Sequence, residues 1–401
     1  MPMRNHLNLF SDRCTIPTFA VQYLENPYSD ATPAAARRRL KRAFERLPIS
    51  LVLLGWKLSP AHEDAVAEET NRHHAKLFRW QPILTGDGQN DFPTEWLTIN
   101  PGGNPILGFG GQPEFTFICP NHSSVADSLS EKVEYLASGG LFQGLFLDRL
   151  RFPSPSLDPL HDLGCFCEQC TCLAAETGLD LDSVRRNLQS LPPDQIVRSL
   201  LGQPDLAGSP LESFLDFRTA SITRIIQRIS KQASSHNISI GLDCFSPTLT
   251  RMVGQDLSAL DGVSDWIKIM SYPRVFGPAG LSFELLGLLN WLIQNGLGES
   301  EALRILANAS RLPIPRSASE LGSTGLPSET IAYEIQRASE FGVSNLLVGI
   351  ALVKMRKIHE STPKQIQADL EASRASNGLV ISWDLWFTPL DYLDTIRILW
   401  G

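Results

Sequence analysis

Four of the seven cysteines fall within eight residues, Cys165-Phe166-Cys167-Glu168-Gln169-Cys170-Thr171-Cys172. A C-x-C-x-x-C spacing lets three thiolates turn back on one ion, and zinc takes four such ligands tetrahedrally. The fourth is either Cys172, close by, or Cys119 in Phe117-Ile118-Cys119-Pro120-Asn121, and spacing favours neither. Four thiolates leave no open coordination position, so such a zinc is structural rather than catalytic. An odd, crowded cysteine set without a leader-like N-terminus reads as a metal site, not a disulfide framework.

A second set of residues sits at the ends of apolar runs. Gly144-Leu-Phe-Leu-Asp148, Ile238-Ser-Ile-Gly-Leu-Asp243 and Leu379-Val-Ile-Ser-Trp383-Asp384 each finish on a carboxylate or just before one, and a fourth run carries Lys268 and Tyr272. A carboxylate closing a buried strand is costly unless it is paired or used. Arg149 and Arg151 are the neighbours that would pair with Asp148. Hydrolysis of a glycosidic bond needs two carboxyls, about 5–5.5 Å apart for retention and about 6.5–9.5 Å for inversion. Asp148 is the first candidate, Asp384 the second and Asp243 the third, since a one-residue slip of its strand would present Cys244 instead. Arg151, Lys268, Tyr272 and Trp383 are candidate substrate-binding residues. Trp56, Trp80 and Trp386 also lie near strand ends, although a single tryptophan reads more readily as core.

The elements that must position these residues alternate between short apolar runs and helical patterns, the mark of parallel βαβ units. Eight strands are expected at Thr15–Tyr23, Ile49–Trp56, Phe78–Leu84, Gly144–Asp148, Ile238–Asp243, Trp266–Tyr272, Leu346–Ala351 and Leu379–Asp384. Between them, Thr32-Pro33, Thr362-Pro363 and Thr388-Pro389 each place a capping hydroxyl before a proline at the first helical position. The expected architecture is α/β, one (β/α)₈ barrel over residues 1–401, with a cysteine-bearing insertion at about 152–210. Long loops 85–114, 152–210 and 293–327 leave the face where barrel enzymes build their sites. Asp148, Asp243, Tyr272 and Asp384 are expected to line one pocket there, roofed by loops 85–114 and 293–327. The run Phe283–Leu292 is apolar nearly all round and predicts either deep burial or a homo-oligomer contact.

Bulk composition narrows the function classes. The chain is 43% hydrophobic with net charge −8, which suits a large core and argues against a nucleic-acid surface. No run approaches a membrane span, and the N-terminus lacks a signal-peptide core, so a cytoplasmic protein without membrane contacts is expected.

Two resemblances sharpen this. Cys119-Pro120-Asn121 followed by Cys165-Phe166-Cys167-Glu168-Gln169-Cys170 is similar to the zinc-containing β-galactosidases of glycoside hydrolase family 42, over residues 115–175. The resemblance implies Cys119, Cys165, Cys167 and Cys170 as ligands of a structural zinc, with Cys172 free. It departs at strand four, where the family's Asn-Glu is replaced by Asp148-Arg149, and at strand seven, which offers no carboxylate. The segment from Gly144 to Pro153 resembles the strand-four end of glycoside-hydrolase-like bacterial barrel proteins, and Met270-Ser271-Tyr272 a strand end of sugar-binding barrels. The function these imply is a glycoside hydrolase with a carbohydrate substrate. The alternative is a barrel that binds a saccharide without turning it over.

Overall fold

The computed structural model describes residues 18–23, 32–86, 92–203 and 208–400. Eight parallel strands close into a barrel in sequence order: β1 Thr18–Tyr23, β2 Leu51–Leu54, β3 Lys76–Pro82, β4 Gly144–Asp148, β5 Ser239–Phe245, β6 Trp266–Met270, β7 Leu346–Ala351 and β8 Gly378–Ser382. The fold is the (β/α)₈ barrel that the alternation of runs implies. β4 and β7 match the sequence reading. β3 starts two residues before the expected Phe78, β5 runs on to Phe245, and β6 and β8 stop two residues early. The expected start of β1, Thr15 to Pro17, lies outside the described residues.

Each strand is buried on both faces, so it reads as one apolar run with no alternation to mark its ends. Inside the barrel, side chains still alternate. Ala20, Leu53, Phe78, Phe146, Trp266, Leu347 and Val380 fill the lumen. Large rings fit there because small residues face them. A Cβ on Gly241 would stand 2.1 Å from the Trp266 ring, which itself stacks on Phe146 at 5.1 Å.

The helices open as their capping residues dictate in two of the three expected places. Thr32 caps Pro33–Phe44, and Thr362 forms a full capping box with Gln365 at the head of Pro363–Ala372. Thr388 instead turns its hydroxyl to the Asp384 carbonyl, and the last helix begins at Asp391. The insertion after β4 is helical, with Glu168–Glu176, Leu181–Ser190 and Pro193–Leu200. The apolar helix Leu281–Gln294 is covered within the chain by Pro193–Leu200, Glu299–Ser310 and Ala318–Ser323. Burial accounts for its composition. Among the described residues, no helix is long and apolar enough to cross a membrane.

Candidate active site and cysteine clip

At the C-terminal mouth of the barrel lies a cavity of about 440 Å³ whose floor is made by inward residues of β1, β4, β5 and β6. The register that pairs Leu147 with Leu242 sets Asp148 beside Asp243. The next pairing sets Asp243 against Lys268. Asp243 therefore faces the lumen, and Cys244 packs outward into the shell of helices. Lys268 Nζ donates to Asp243 Oδ2 at 3.0 Å and, across the mouth, to Gln22 Oε1 at 3.1 Å.

Burial pushes the Asp243 carboxyl up to about 7, against the pull of Lys268 and with help from the charge of Asp148. Burial works against the Lys268 ammonium, but Asp243 and Tyr272 outweigh it and raise its pKa. Asp243 Oδ1, Gln22 Nε2 and the indole N–H of Trp56 have no hydrogen-bond partner among the described residues. All three residues line the cavity, as does Tyr272, whose hydroxyl also lacks a partner among the described residues, so these atoms are open to a ligand.

Asp148 is half-buried, and both of its oxygens accept hydrogen bonds: Oδ2 from the Trp80 indole at 3.1 Å and Oδ1 from the Arg149 backbone N–H at 2.6 Å. The Arg149 backbone is left-handed, at φ 54°, and its guanidinium reaches the loop after β3. There it bonds Thr85 Oγ1 and the Glu114 carbonyl and stands 4.6 Å from the Phe115 ring. Arg151 is buried between the Phe117 and Phe245 rings, 4.5 and 4.4 Å from their centres, and donates to the Phe152 carbonyl. Its burial lowers its pKa to about 10, opposed by Glu284 and then Asp148. Arg151 thus props the end of β4 and only borders the cavity.

The structure brings together Asp148, Asp243, Lys268, Tyr272, Trp383 and Arg151, but not Asp384. β8 ends at Ser382, and beyond it the chain carries Asp384 to the helix side of the wall. There its Oδ1 accepts from the Trp386 N–H, and its charge acts on Tyr23 and on Arg39 of the first helix. The expectation of four residues in one pocket is corrected to three. The roof is corrected too: loop 85–114 contributes Gly110, Gln112 and Glu114, but loop 293–327 does not reach the cavity. Most of that loop is taken up by the two helices that cover Leu281–Gln294. Val275 to Ala279, Phe283, Met355 and Ile358 roof the cavity instead.

Gln22, Glu114 and Arg149 are lining residues that the sequence reading did not single out for the pocket. Gln22 had a signal, being a lone amide inside an apolar strand.

Strand seven explains the departure from the family 42 pattern. Its inward residue at this level is Gly349, where a Cβ would stand 2.7 Å from Lys268 Cε and 2.8 Å from Tyr272 Oη. The space a strand-seven nucleophile would need is filled by Lys268 of β6 and by Tyr272 just beyond that strand.

In the segments that follow β3 and β4, Cys119, Cys165, Cys167 and Cys170 bring their sulfurs within 4.8 Å of one another, all four buried. Cys119 lies 3.4 Å from Cys170 and 3.6 Å from Cys167. Cys172 is exposed, so the choice that spacing left open falls to Cys119. The surroundings fit thiolates around a cation, because N–H groups point at the sulfurs: Ile99 at Cys165, Cys170 at Cys167, and the Asn121 amide at Cys170.

No family model and no curated protein sequence matches the chain. Solved structures share its shape. The PgaB (BpsB) glycoside hydrolase domain from Bordetella bronchiseptica superposes with TM-score 0.57 at 13% identity, covering 96% of this chain and 98% of that one. The catalytic domain of β-amylase from Paenibacillus polymyxa gives 0.55 at 10% identity, covering 95% of each. The GH42 β-galactosidase Gan42B gives 0.58 at 11% identity over 96% of this chain and 57% of that one. The chain shares its barrel with glycoside hydrolases.

Proposed function

We propose that the chain is a glycoside hydrolase cleaving its substrate at the barrel mouth, with Asp148 and Asp243 as the working pair. The observation carrying this reading is that two carboxyls in unlike surroundings meet on the floor of a cavity walled by Trp56, Trp383 and Tyr272. Environments that push two carboxyls apart assign acid and base roles. Asp243, kept protonated by burial to about pH 7, donates to the glycosidic oxygen. Asp148, ordered by two N–H donors, is the carboxylate facing the charge that develops at the anomeric carbon. Lys268 positions Asp243. Ring faces suit the apolar side of a pyranose, and Gln22 and Trp56 offer donors to its hydroxyls. The glycosidase names of the neighbours in shape support a carbohydrate substrate.

A donor works only while it holds its proton, so its activity is lost as pH rises through its pKa. We expect kcat/KM to be level in mild acid and to fall about tenfold per unit once the pH exceeds that of Asp243, which burial sets at about 7. A rate profile still level at pH 9 would assign the proton to another group.

In this reading the cysteine clip holds zinc, which supplies a cross-link and takes no part in bond cleavage. The chain acts as one barrel unit with the cysteine insertion packed against the long helix Pro210–Ser235.

The test of the activity is turnover of a panel of aryl glycosides and oligosaccharides by the purified chain. Release of aglycone or reducing sugar from at least one is the expected result. Gly349 favours a second reading, since a filled strand-seven position leaves no carboxylate opposite β4. Saccharide binding by calorimetry with no turnover across the panel would select that reading, a binding barrel.

A further inference from the structure

The long helix Pro210–Ser235 buries an apolar stripe that includes Leu211, Phe214, Leu215, Ile222, Ile225 and Ile226. Arg218 interrupts that stripe and is fully buried. Its Nη1 donates to the Met252 carbonyl at 2.8 Å, and its plane stands 4.8 Å from the Phe152 ring. Its Nε and Nη2 have no partner among the described residues. The neighbouring acids do not serve it: Glu212 and Asp216 are both bonded to Arg251. A guanidinium buried without an anion is strongly destabilising, so a fold that keeps one there must supply negative charge by other means.

The same helix face meets the clip. Phe214, Arg218 and Ser221 follow one another at helical spacing. The Phe214 ring packs on Phe166, the residue between Cys165 and Cys167, at 4.6 Å. The Asn121 amide donates both to Ser221 Oγ, at 2.9 Å, and to Cys170 Sγ, at 3.3 Å. Arg218 lies between these two contacts, and burial, which lowers its pKa to about 9, is opposed first by Cys165. Neutral thiols would leave it unpaired. Four thiolates around a divalent cation carry a net charge of minus two and would not.

We propose that Arg218 is the counter-ion of the clip, offsetting half of the charge that four cysteine thiolates leave on a bound divalent cation. Metal and arginine then stabilise each other, and each alone is a burden on the core. This rests on the reading of the clip as a zinc site.

The test compares the full chain with Arg218→Met, which keeps the packing and removes the charge, and Arg218→Lys, which keeps the charge. Cobalt(II) is the spectroscopic probe, and zinc affinity is read by competition with a chelator. Wild type is expected to bind one cobalt with thiolate-to-metal charge-transfer absorption. Arg218→Met is expected to bind zinc about 10- to 100-fold more weakly, the usual cost of losing an outer-shell partner, and Arg218→Lys to stay close to wild type. Without metal, Arg218→Met is expected to melt above wild type, and with zinc below it. Equal zinc affinity in wild type and Arg218→Met would overturn the role of Arg218. So would a melting difference of the same size and sign with and without metal, which is the behaviour of a packing residue. If Arg218→Met does not fold, zinc affinity lost in Arg218→Lys as well overturns the proposal, and affinity kept there supports it. A wild-type chain that takes up no cobalt overturns the zinc reading itself, and the counter-ion with it.

Discussion

Asp148→Asn is expected to lower turnover of the true substrate by about 10³-fold or more, the scale on which proton-transfer and carboxylate partners act at a reacting bond. The fold should hardly notice. Asparagine keeps the shape and one acceptor, so one of the two N–H groups now aimed at Asp148, from Trp80 or Arg149, retains its bond. The other loses it, at a cost of about 1 kcal/mol. Thermal unfolding and the circular dichroism spectrum therefore serve as the control beside the rate. A variant that melts normally and hydrolyses at the wild-type rate would remove Asp148 from the reaction. A variant whose loss of rate tracks a loss of fold would mean the carboxylate is structural.

Removing the metal from the clip should affect stability rather than chemistry. The clip joins Cys119 to Cys170 across 51 residues of chain, closing a long loop around β4. It also ties the segment at Ile99 to the insertion, through the Phe166 N–H and the Cys165 sulfur. Chelation, or Cys170→Ser, is expected to destabilise the barrel by about 3–5 kcal/mol, as when one member of a buried charged set is removed. The intact remainder should retain its kcat below the melting range. Cys172→Ser, at an exposed position, should change nothing. Metal content by atomic emission and melting curves with and without chelator measure both effects. Identical curves for wild type and Cys170→Ser would mean that the four sulfurs carry no ion that matters to the fold.

The barrel itself was legible because its strands are short apolar runs separated by capped helices, and Thr32-Pro33 and Thr362-Pro363 open helices where the capping rule places them. The strand limits were less legible. In a strand buried on both faces no alternation marks the end, so β6 and β8 were read two residues too long. That error bears directly on Asp384. Counted as the end of β8 it should have faced the lumen, but it lies beyond the strand, where the path of the following turn decides its direction.

The sequence by itself determined the residue types: a carboxylate closing β4, another near the end of β5, a lysine on β6, and a cysteine spacing fit for one ion. These are local facts, set by the period of a strand or the length of a turn. Only the tertiary structure decided that Cys119 rather than Cys172 completes the clip, since that depends on where the loop after β3 passes the insertion. It also decided that Lys268 and Tyr272 occupy the space in front of Gly349, and that Asp243 is buried deeply enough to hold its proton near neutral pH. Desolvation and close approach are properties of everything that surrounds a side chain, and in a closed barrel those neighbours come from strands hundreds of residues apart.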